Sequence, residues 1–270
     1  MNIQKIALIV FALAIITGMT SVLSYSEEMT GEQIMQRVDS RDDGDDLTQT
    51  IYQKLIDRRG GVRERHIVAF RKDYGKDSKS ISYFLKPSNI RDTALLTYDY
   101  DGVEKDDDQW LYLPALKKVR RISSSDRGDY FMGTDFTFED IKQTPELDDY
   151  NWTLTASEPI DGHDCWVVQG VPKTEDLQKN LGYSKTVNYI RKDIDLAIRI
   201  DYWDRKGQEL KHFHATEVKQ IQGIWTATQM LMENSQTGHK TKMAFSDQHY
   251  NSGLSNRKFS ERMLKRGYRK

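Results

Sequence analysis

Only a few side chains in this sequence stand at spacings that could do chemistry. His212 and His214, two residues apart, would share one face of a strand and could offer two imidazoles to a metal. No third ligand follows at a coordinating spacing, and two solvated histidines are the simpler reading. His163, beside Cys165, is read the same way. Asp99, Asp101, Glu104, Asp106, Asp107 and Asp108 invite a calcium reading, but the bidentate glutamate spacing of an EF-hand loop is missing. A solvated hairpin end accounts for them, and the same holds for Asp42 to Asp46. Cys165 is the only cysteine, so the chain holds no internal disulfide, and in the apolar run Cys165-Trp166-Val167-Val168 it reads as a buried, inert thiol. No G-x-S-x-G, P-loop, H-E-x-x-H or C-x-x-C motif occurs. The sequence therefore points away from an enzyme and implies no metal or cofactor.

The elements that would position any site are mostly strands. Residues 30–41 are expected to form a helix with Thr30 as N-cap and Ile34, Met35 and Val38 on one face. The acidic break at Asp42 to Asp46 ends it, and the pattern then changes to period two. Leu47 to Asp57 and Val62 to Lys72 flank Gly60-Gly61, a hairpin signal. Further strands are expected at 80–85, 92–98, 109–113, 117–122, 151–157 and 164–170. In Asp195 to Trp203, Leu196, Ile198, Ile200 and Tyr202 alternate with Ala197, Arg199 and Asp201; runs at 209–219, 225–233 and 240–245 complete the series. About eleven short strands joined by turns argue a mainly β (α+β) fold, a strongly curved antiparallel sheet in one domain. Residues 123–147 read as a long loop with a short helix near Phe138 to Ile141. Residues 255–270 read as a basic C-terminal helix capped at Ser255 or Asn256, with Phe259 and Met263 as its apolar stripe.

The first 24 residues differ from the rest. Lys5 precedes an apolar run of 14 residues, Ile6 to Met19, and a small polar stretch, Thr20 to Ser26. That is the layout of a cleavable secretory signal peptide, and the run is shorter than the roughly 20 residues of a permanent span. Its removal takes away Lys5 and moves the net charge from −1 to −2. Balanced charge disfavours nucleic acid as a partner. The expected organisation is a signal peptide at 1–24 and a single periplasmic domain at 25–270.

The segment Asp108 to Ile122 (DQWLYLPALKKVRRI), continued by Phe131 to Asp140 (FMGTDFTFED), resembles the LolA-like family of outer-membrane lipoprotein-sorting proteins. It is most similar to the longer branch, often found beside exporters of the resistance-nodulation-division type. The signal peptide, the N-terminal helix and Phe259 to Leu264 extend the match. The resemblance implies an unclosed half-barrel with helices as a lid over its concave face. It also implies a carrier of lipid or acylated protein through the periplasm, with such an exporter as a partner. A sensor or adaptor of the same fold, regulating a membrane complex without carrying cargo, is the competing reading.

A carrier needs a dry concave surface rather than a catalytic group. Each sequestered CH₂ contributes about 0.8 kcal/mol, so a dozen give on the order of 10 kcal/mol. The candidate lining residues are Trp110, Tyr112, Leu196, Ile198, Ile200, Tyr202, Met230, Met232, Met243 and Phe245; plain core packing is the alternative for each. Arg120 and Arg121 are candidates to meet an anionic headgroup, or to fix the following loop through Asp135, Glu139 or Asp140. The basic C-terminal helix offers transient contact with an anionic membrane.

Overall fold

The computed structural model describes residues 29–102, 105–142 and 146–269. The expected signal peptide lies outside the described residues.

The chain starts with helix α1, Gly31–Ser40, whose N-terminus carries a full capping box. The Thr30 hydroxyl accepts from Gln33 N (3.2 Å) and the Gln33 side chain accepts from Thr30 N (2.9 Å). Six strands follow: β1 Asp46–Ile56, β2 Val62–Tyr74, β3 Asp77–Lys86, β4 Ala94–Asp99, β5 Asp108–Leu113 and β6 Lys118–Ile122. A crossing segment, residues 123–149, leads to β7 Tyr150–Ile160 and β8 His163–Pro172. Helix α2, Glu175–Leu181, precedes β9 Tyr183–Arg191, β10 Leu196–Asp204, β11 Glu209–Ile221, β12 Ile224–Asn234 and β13 Lys240–Tyr250. Helix α3, Glu261–Arg266, is the last element of the described chain.

All thirteen strands form one antiparallel sheet in the order β6-β5-β4-β3-β2-β1-β13-β12-β11-β10-β9-β8-β7. The chain meanders from the centre to one edge at β6, jumps to the far edge at β7, and meanders back until β13 pairs with β1. The crossing segment is therefore the one connection that spans the whole sheet. Two of its residues show how far the sheet curls. Phe138 packs with Leu95 and Leu111 of β4 and β5, while Phe136 packs with Tyr183, Tyr202 and Met232 of β9, β10 and β12. Side chains two residues apart reach strands on opposite halves only if the sheet wraps around them. Register breaks in β1, β7, β10 and β11 add the local twist that such wrapping needs.

The pairing register assigns the two faces. Leu111, Leu95, Ile67, Ile51, Met243, Met230 and Ile200 lie on the concave side, in register with their neighbours across the sheet. The opposite parity, Val68, Phe70, Ile81, Tyr83, Leu96, Trp110 and Tyr112, faces outward and is covered by the C-terminal segment through Phe259 and Leu264. Tyr98 Oη donates to Phe259 O (2.9 Å) and Tyr83 Oη to Met263 O (3.2 Å). Buried Asp46 accepts from Ser252 N, Ser252 Oγ and Leu254 N at 2.8–2.9 Å. Burial disfavours the Asp46 carboxylate, but these donors outweigh it and hold its pKa below the ordinary value.

Four expectations are corrected. The sheet has thirteen strands rather than about eleven; the one strand with no counterpart among the expected segments is β9, which reads as a polar stretch in the sequence. Its inward positions Thr186 and Asn188 are buried polar residues, and Asn188 Nδ2 donates to Val168 O (3.3 Å) and Thr186 Oγ1 (3.2 Å). Helix α2 was not expected; Thr174 caps its start, and Gly182, at φ 84°, ends it. The helix expected near Phe138 to Ile141 is a single hydrogen-bonded turn, Ile141 N to Thr137 O (3.3 Å). The C-terminal helix is split into a 3₁₀ turn, Asn256–Lys258, and α3, because Ser260 caps a new start and Phe259 turns into the sheet. Its buried apolar residues are Phe259 and Leu264, with Met263 only partly covered.

Helix α1 sits against β7 and β8 through Ile34, Met35 and Val38, packing on Val168 and Ile190. Gly31 is what lets it approach: a Cβ there would lie 2.7 Å from Leu154 N and Thr153 backbone atoms. Alanine normally favours a helix over glycine by about 1 kcal/mol. Here overpacking against a strand backbone dominates, and Gly31→Ala is expected to destabilise by roughly 1–3 kcal/mol in urea unfolding. A stabilised variant would show that α1 is not seated on β7 as described.

Candidate functional site

The concave face is the place to look for a site, and the crossing segment already occupies it. Its middle is a small hairpin. Tyr130 bridges Thr137, Phe131 N donates to Phe136 O (2.8 Å), and Met132 (φ 50°) and Gly133 (φ 73°) make the turn. Thr137 and Asp140 then cap each other: Thr137 N donates to Asp140 Oδ2 (2.7 Å) and Asp140 N to Thr137 Oγ1 (3.1 Å).

Three polar anchors tie this hairpin to the sheet. Lys211 of β11 is fully buried, forms an ion pair with Asp140, and also donates to Asp135 O (2.9 Å). Tyr183 Oη donates to the same Asp140 carboxylate at 2.8 and 2.9 Å, and its ring lies 4.9 Å from that of Tyr202. Burial pushes the Tyr183 and Tyr202 pKa values well up, with the Asp140 charge adding to it. Burial also lowers the pKa of Lys211, a loss that Asp140 only partly offsets. In the second anchor, Asp135 accepts from Thr241 Oγ1 (2.7 Å) and pairs with His239 Nδ1 (2.6 Å), while Thr241 Oγ1 accepts from Asp135 N (3.0 Å). The third is Arg65, which donates to Met132 O (2.7 Å) and Gln53 Oε1 (3.2 Å); burial lowers its pKa to about 10.

The ends of the crossing segment are held by charges. Arg127 pairs with Glu139 (2.8 Å) and Asp149 (3.2 Å). Lys142 pairs with Asp107 (2.5 Å), Asp99 (3.2 Å) and Glu139 (3.6 Å), which ties the β4–β5 acidic loop to the segment. Burial opposes the Lys142 charge, yet the three carboxylates raise its pKa overall. Burial raises Asp99 to about 6 and Glu146 to about 7, Lys142 opposing both shifts and Asp107 adding to both.

The structure brings together only part of the set read from the sequence. Ile200, Tyr202, Met232 and Met243 converge on Phe136. Met230 and Phe245 lie beside them by register, opposite Met243 and Ile51. Ile198 belongs to a separate cluster with Cys165 and Ala215, and Leu196 pairs with Arg191 near the end of β10. Trp110 and Tyr112 are on the outer face, packed under the C-terminal segment. Exposed Arg120 pairs with half-buried Asp126 (2.9 Å) and Arg121 with Asp108; neither reaches Asp135, Glu139 or Asp140, whose partners are His239, Arg127, Lys142 and Lys211 instead. His212 is held between Asp201 (2.7 Å) and Glu209 (2.8 Å). His214 pairs with Asp161 (2.6 Å). No group of three metal-ligating side chains occurs among the described residues.

A curled antiparallel sheet whose concave face is crossed by a loop and flanked by a terminal helix defines the LolA-like class. A family model described only as an uncharacterized protein matches residues 76–266. A DUF1329 family protein from Desulfovibrio piger is 34% identical, with a TM-score of 0.81, over 87% of this chain and 97% of its own. A domain named for outer-membrane lipoprotein sorting, from Vibrio parahaemolyticus, is 32% identical, with a TM-score of 0.80, over 87% of this chain and 98% of its own. A LolA superfamily protein from Nitrosomonas europaea shares the fold at 18% identity, with a TM-score of 0.67, over 87% of this chain and 100% of its own. No curated protein matches the sequence. The chain belongs to the DUF1329 family, a LolA-like family.

Two outcomes test the polar anchoring. Asp140→Asn strands a buried ammonium and is expected to cost about 3–5 kcal/mol in chemical denaturation, whereas Asp140→Leu combined with Lys211→Met recovers most of that loss. A double variant no more stable than the single one would contradict the pairing. Glu146 has a folded pKa of about 7 against an ordinary 4.5, so its contribution is full below 4.5 and is lost as pH rises through 7. Glu146→Gln is therefore expected to gain stability relative to the parent protein as pH rises from 4.5 to 7. A pH-independent difference would remove Glu146 from the network.

Proposed function

We propose that this protein is a periplasmic carrier that shields lipid or lipoprotein acyl chains between the inner and outer membranes. The observation that carries this reading is the make-up of the concave face. Apolar side chains, Ile200, Phe213, Met232 and Met243, line it, and a separate segment covers it, held in large part by polar contacts. Methionine suits such a surface because its unbranched thioether adapts to irregular chains. A covering segment held by hydrogen bonds can exchange them for water when it lifts, and the apolar strip beneath becomes available to an acyl chain. The relative named for lipoprotein sorting supports the same reading.

The chemistry is binding rather than turnover. The side chains around the concave face are placed to hold the covering segment. Loading from an exporter of the resistance-nodulation-division type and release at the outer membrane fit a protein that shields cargo without transforming it. The C-terminal helix docks by Phe259 and Leu264, which leaves Arg262 and Arg266 exposed towards an anionic membrane surface, with Lys265 beside them paired to Glu261 (4.0 Å).

Native mass spectrometry on protein isolated without detergent is expected to show a discrete added mass that extraction resolves into an acyl-chain compound. A ligand-free spectrum, with no uptake of offered phospholipid or lipopeptide, would overturn the carrier and leave an adaptor of the same fold as the better account.

A further inference from the structure

A cleft of about 670 Å³ opens where the crossing hairpin, α2 and the β10–β11 turn meet. Its volume falls within the range of small-molecule sites. Tyr130 and Leu210 give it apolar walls, and Thr137 and Tyr183 lie at its inner end, where Tyr183 hydrogen-bonds Asp140 of the crossing segment. It therefore adjoins the apolar strip of the concave face through Tyr183 and Leu210, which pack in the same cluster as Met232 and Met243.

The charges around it are of both signs. Arg205 and Lys206 stand exposed on the β10–β11 turn, and neither is in a salt bridge among the described residues. Asp204, the acid beside them, is already engaged: its carboxylate accepts from Lys206 N (2.9 Å), Gln208 N (2.9 Å) and Gln236 Nε2 (2.8 Å). Its role is to shape the turn that presents the two cations. Glu175 of α2 lines the same cleft, exposed and without a salt bridge among the described residues. Two exposed cations outside any salt bridge suit a phosphate, with the Lys206 charge also acting on Asp204, and an exposed carboxylate outside any salt bridge suits an ammonium. By contrast, Arg120 and Arg121 are occupied by Asp126 and Asp108.

We propose that this cleft is the headgroup site of the carrier, and that it selects a zwitterionic amino-phosphate lipid. The phosphate lies against Arg205 and Lys206, the ammonium against Glu175, and the first part of the acyl chain runs past Tyr130 and Leu210. The inference rests on the carrier reading, which it deepens by naming the ligand class and the residues that choose it.

Calorimetric titration of the protein tests it, using dihexanoyl phosphatidylethanolamine, dihexanoyl phosphatidylglycerol and dihexanoylglycerol as monomers, and O-phosphoethanolamine as the acyl-free source of the same headgroup. A charge-assisted contact is worth about tenfold in affinity. The ethanolamine lipid is expected to bind about tenfold more tightly than the phosphatidylglycerol, and the uncharged glyceride more weakly than either. Arg205→Ala with Lys206→Ala should remove about tenfold for both phospholipids and leave the glyceride unchanged. Glu175→Gln should bring the ethanolamine lipid to the level of the phosphatidylglycerol. All three lie on the exposed surface, and circular dichroism confirms that the variants fold. Equal binding of all three lipids, or full affinity in the Arg205 and Lys206 double variant, overturns the headgroup site while leaving the carrier intact. Phosphoethanolamine binding as tightly as its lipid would make this a site for the free amino phosphate and overturn the lipid assignment. No binding of any lipid overturns both proposals.

Discussion

The fully buried ion pair between Lys211 and Asp140 is the contact on which the rest of the structure depends. It follows from topology. With β6 and β7 at opposite edges of one sheet, the connection between them has to cross the opening of the curl. A loop that runs over an outer surface can leave its amides to water, but one that crosses a concave interior has to bring partners with it. The hairpin at 130–137 satisfies part of its backbone internally. The remainder is met from the sheet by Arg65 on Met132 O, Thr241 on Asp135 N and Lys211 on Asp135 O. Lys211 is needed twice, for a carbonyl that would otherwise be orphaned and for the Asp140 carboxylate that caps the turn beginning at Thr137.

This solution costs stability compared with an apolar filling. Taking an ammonium and a carboxylate out of water is expensive, and a hydrophobic pair of similar volume often does as well or better. What the ionic version supplies is a covering segment with a defined seat. Phe131 and Phe138 enter one half of the curl and Phe136 the other, while the polar contacts between them fix the register. The outer face is sealed differently. There the C-terminal segment adds Phe259 and Leu264 to an aromatic-rich layer, with Tyr83 and Tyr98 hydroxyls taking up its carbonyls and Asp46 holding the segment's start. That seal is a continuous apolar core. The inner one is an assembly of directional contacts around a small number of aromatic plugs.

How much of this could be read from the sequence depends on how each element announces itself. Thr30 as N-cap and the spacing of Ile34, Met35 and Val38 placed α1 to within a residue, and the Gly60-Gly61 turn and the Leu196 to Trp203 alternation placed strands correctly. The β9 strand was hidden because its inward positions, Thr186 and Asn188, are polar residues satisfied only by neighbours that the fold supplies. The face assignment was hidden for the opposite reason. The strands β2 to β5 are covered on both sides, so Trp110 on one face and Leu111 on the other look equally apolar, and periodicity has no preference between them. Lys211 was legible in principle. Period two puts it on the side of Phe213, where a lysine needs a buried partner. Its partner lies 71 residues away in the crossing segment, and no local pattern joins the two.

The same separation explains why the part of the sequence most suggestive of the family is also the part that closes the molecule. Asp108 to Ile122 builds the edge hairpin β5–β6, and Phe131 to Asp140 builds the plug that leaves that edge and crosses to the other half. A hairpin edge needs only alternation. The plug needs a turn with two positive φ angles at Met132 and Gly133, aromatics aimed both ways and two aspartates at fixed positions, because each contacts a different strand. Asp135 answers to β13 and Asp140 to β9 and β11, so shifting the segment by one residue would break contacts on both halves of the sheet at once. A segment under that many simultaneous constraints has one closed seat. Leaving it would mean giving up the polar contacts together with the burial of Phe131, Phe136 and Phe138, so the segment is held as one unit.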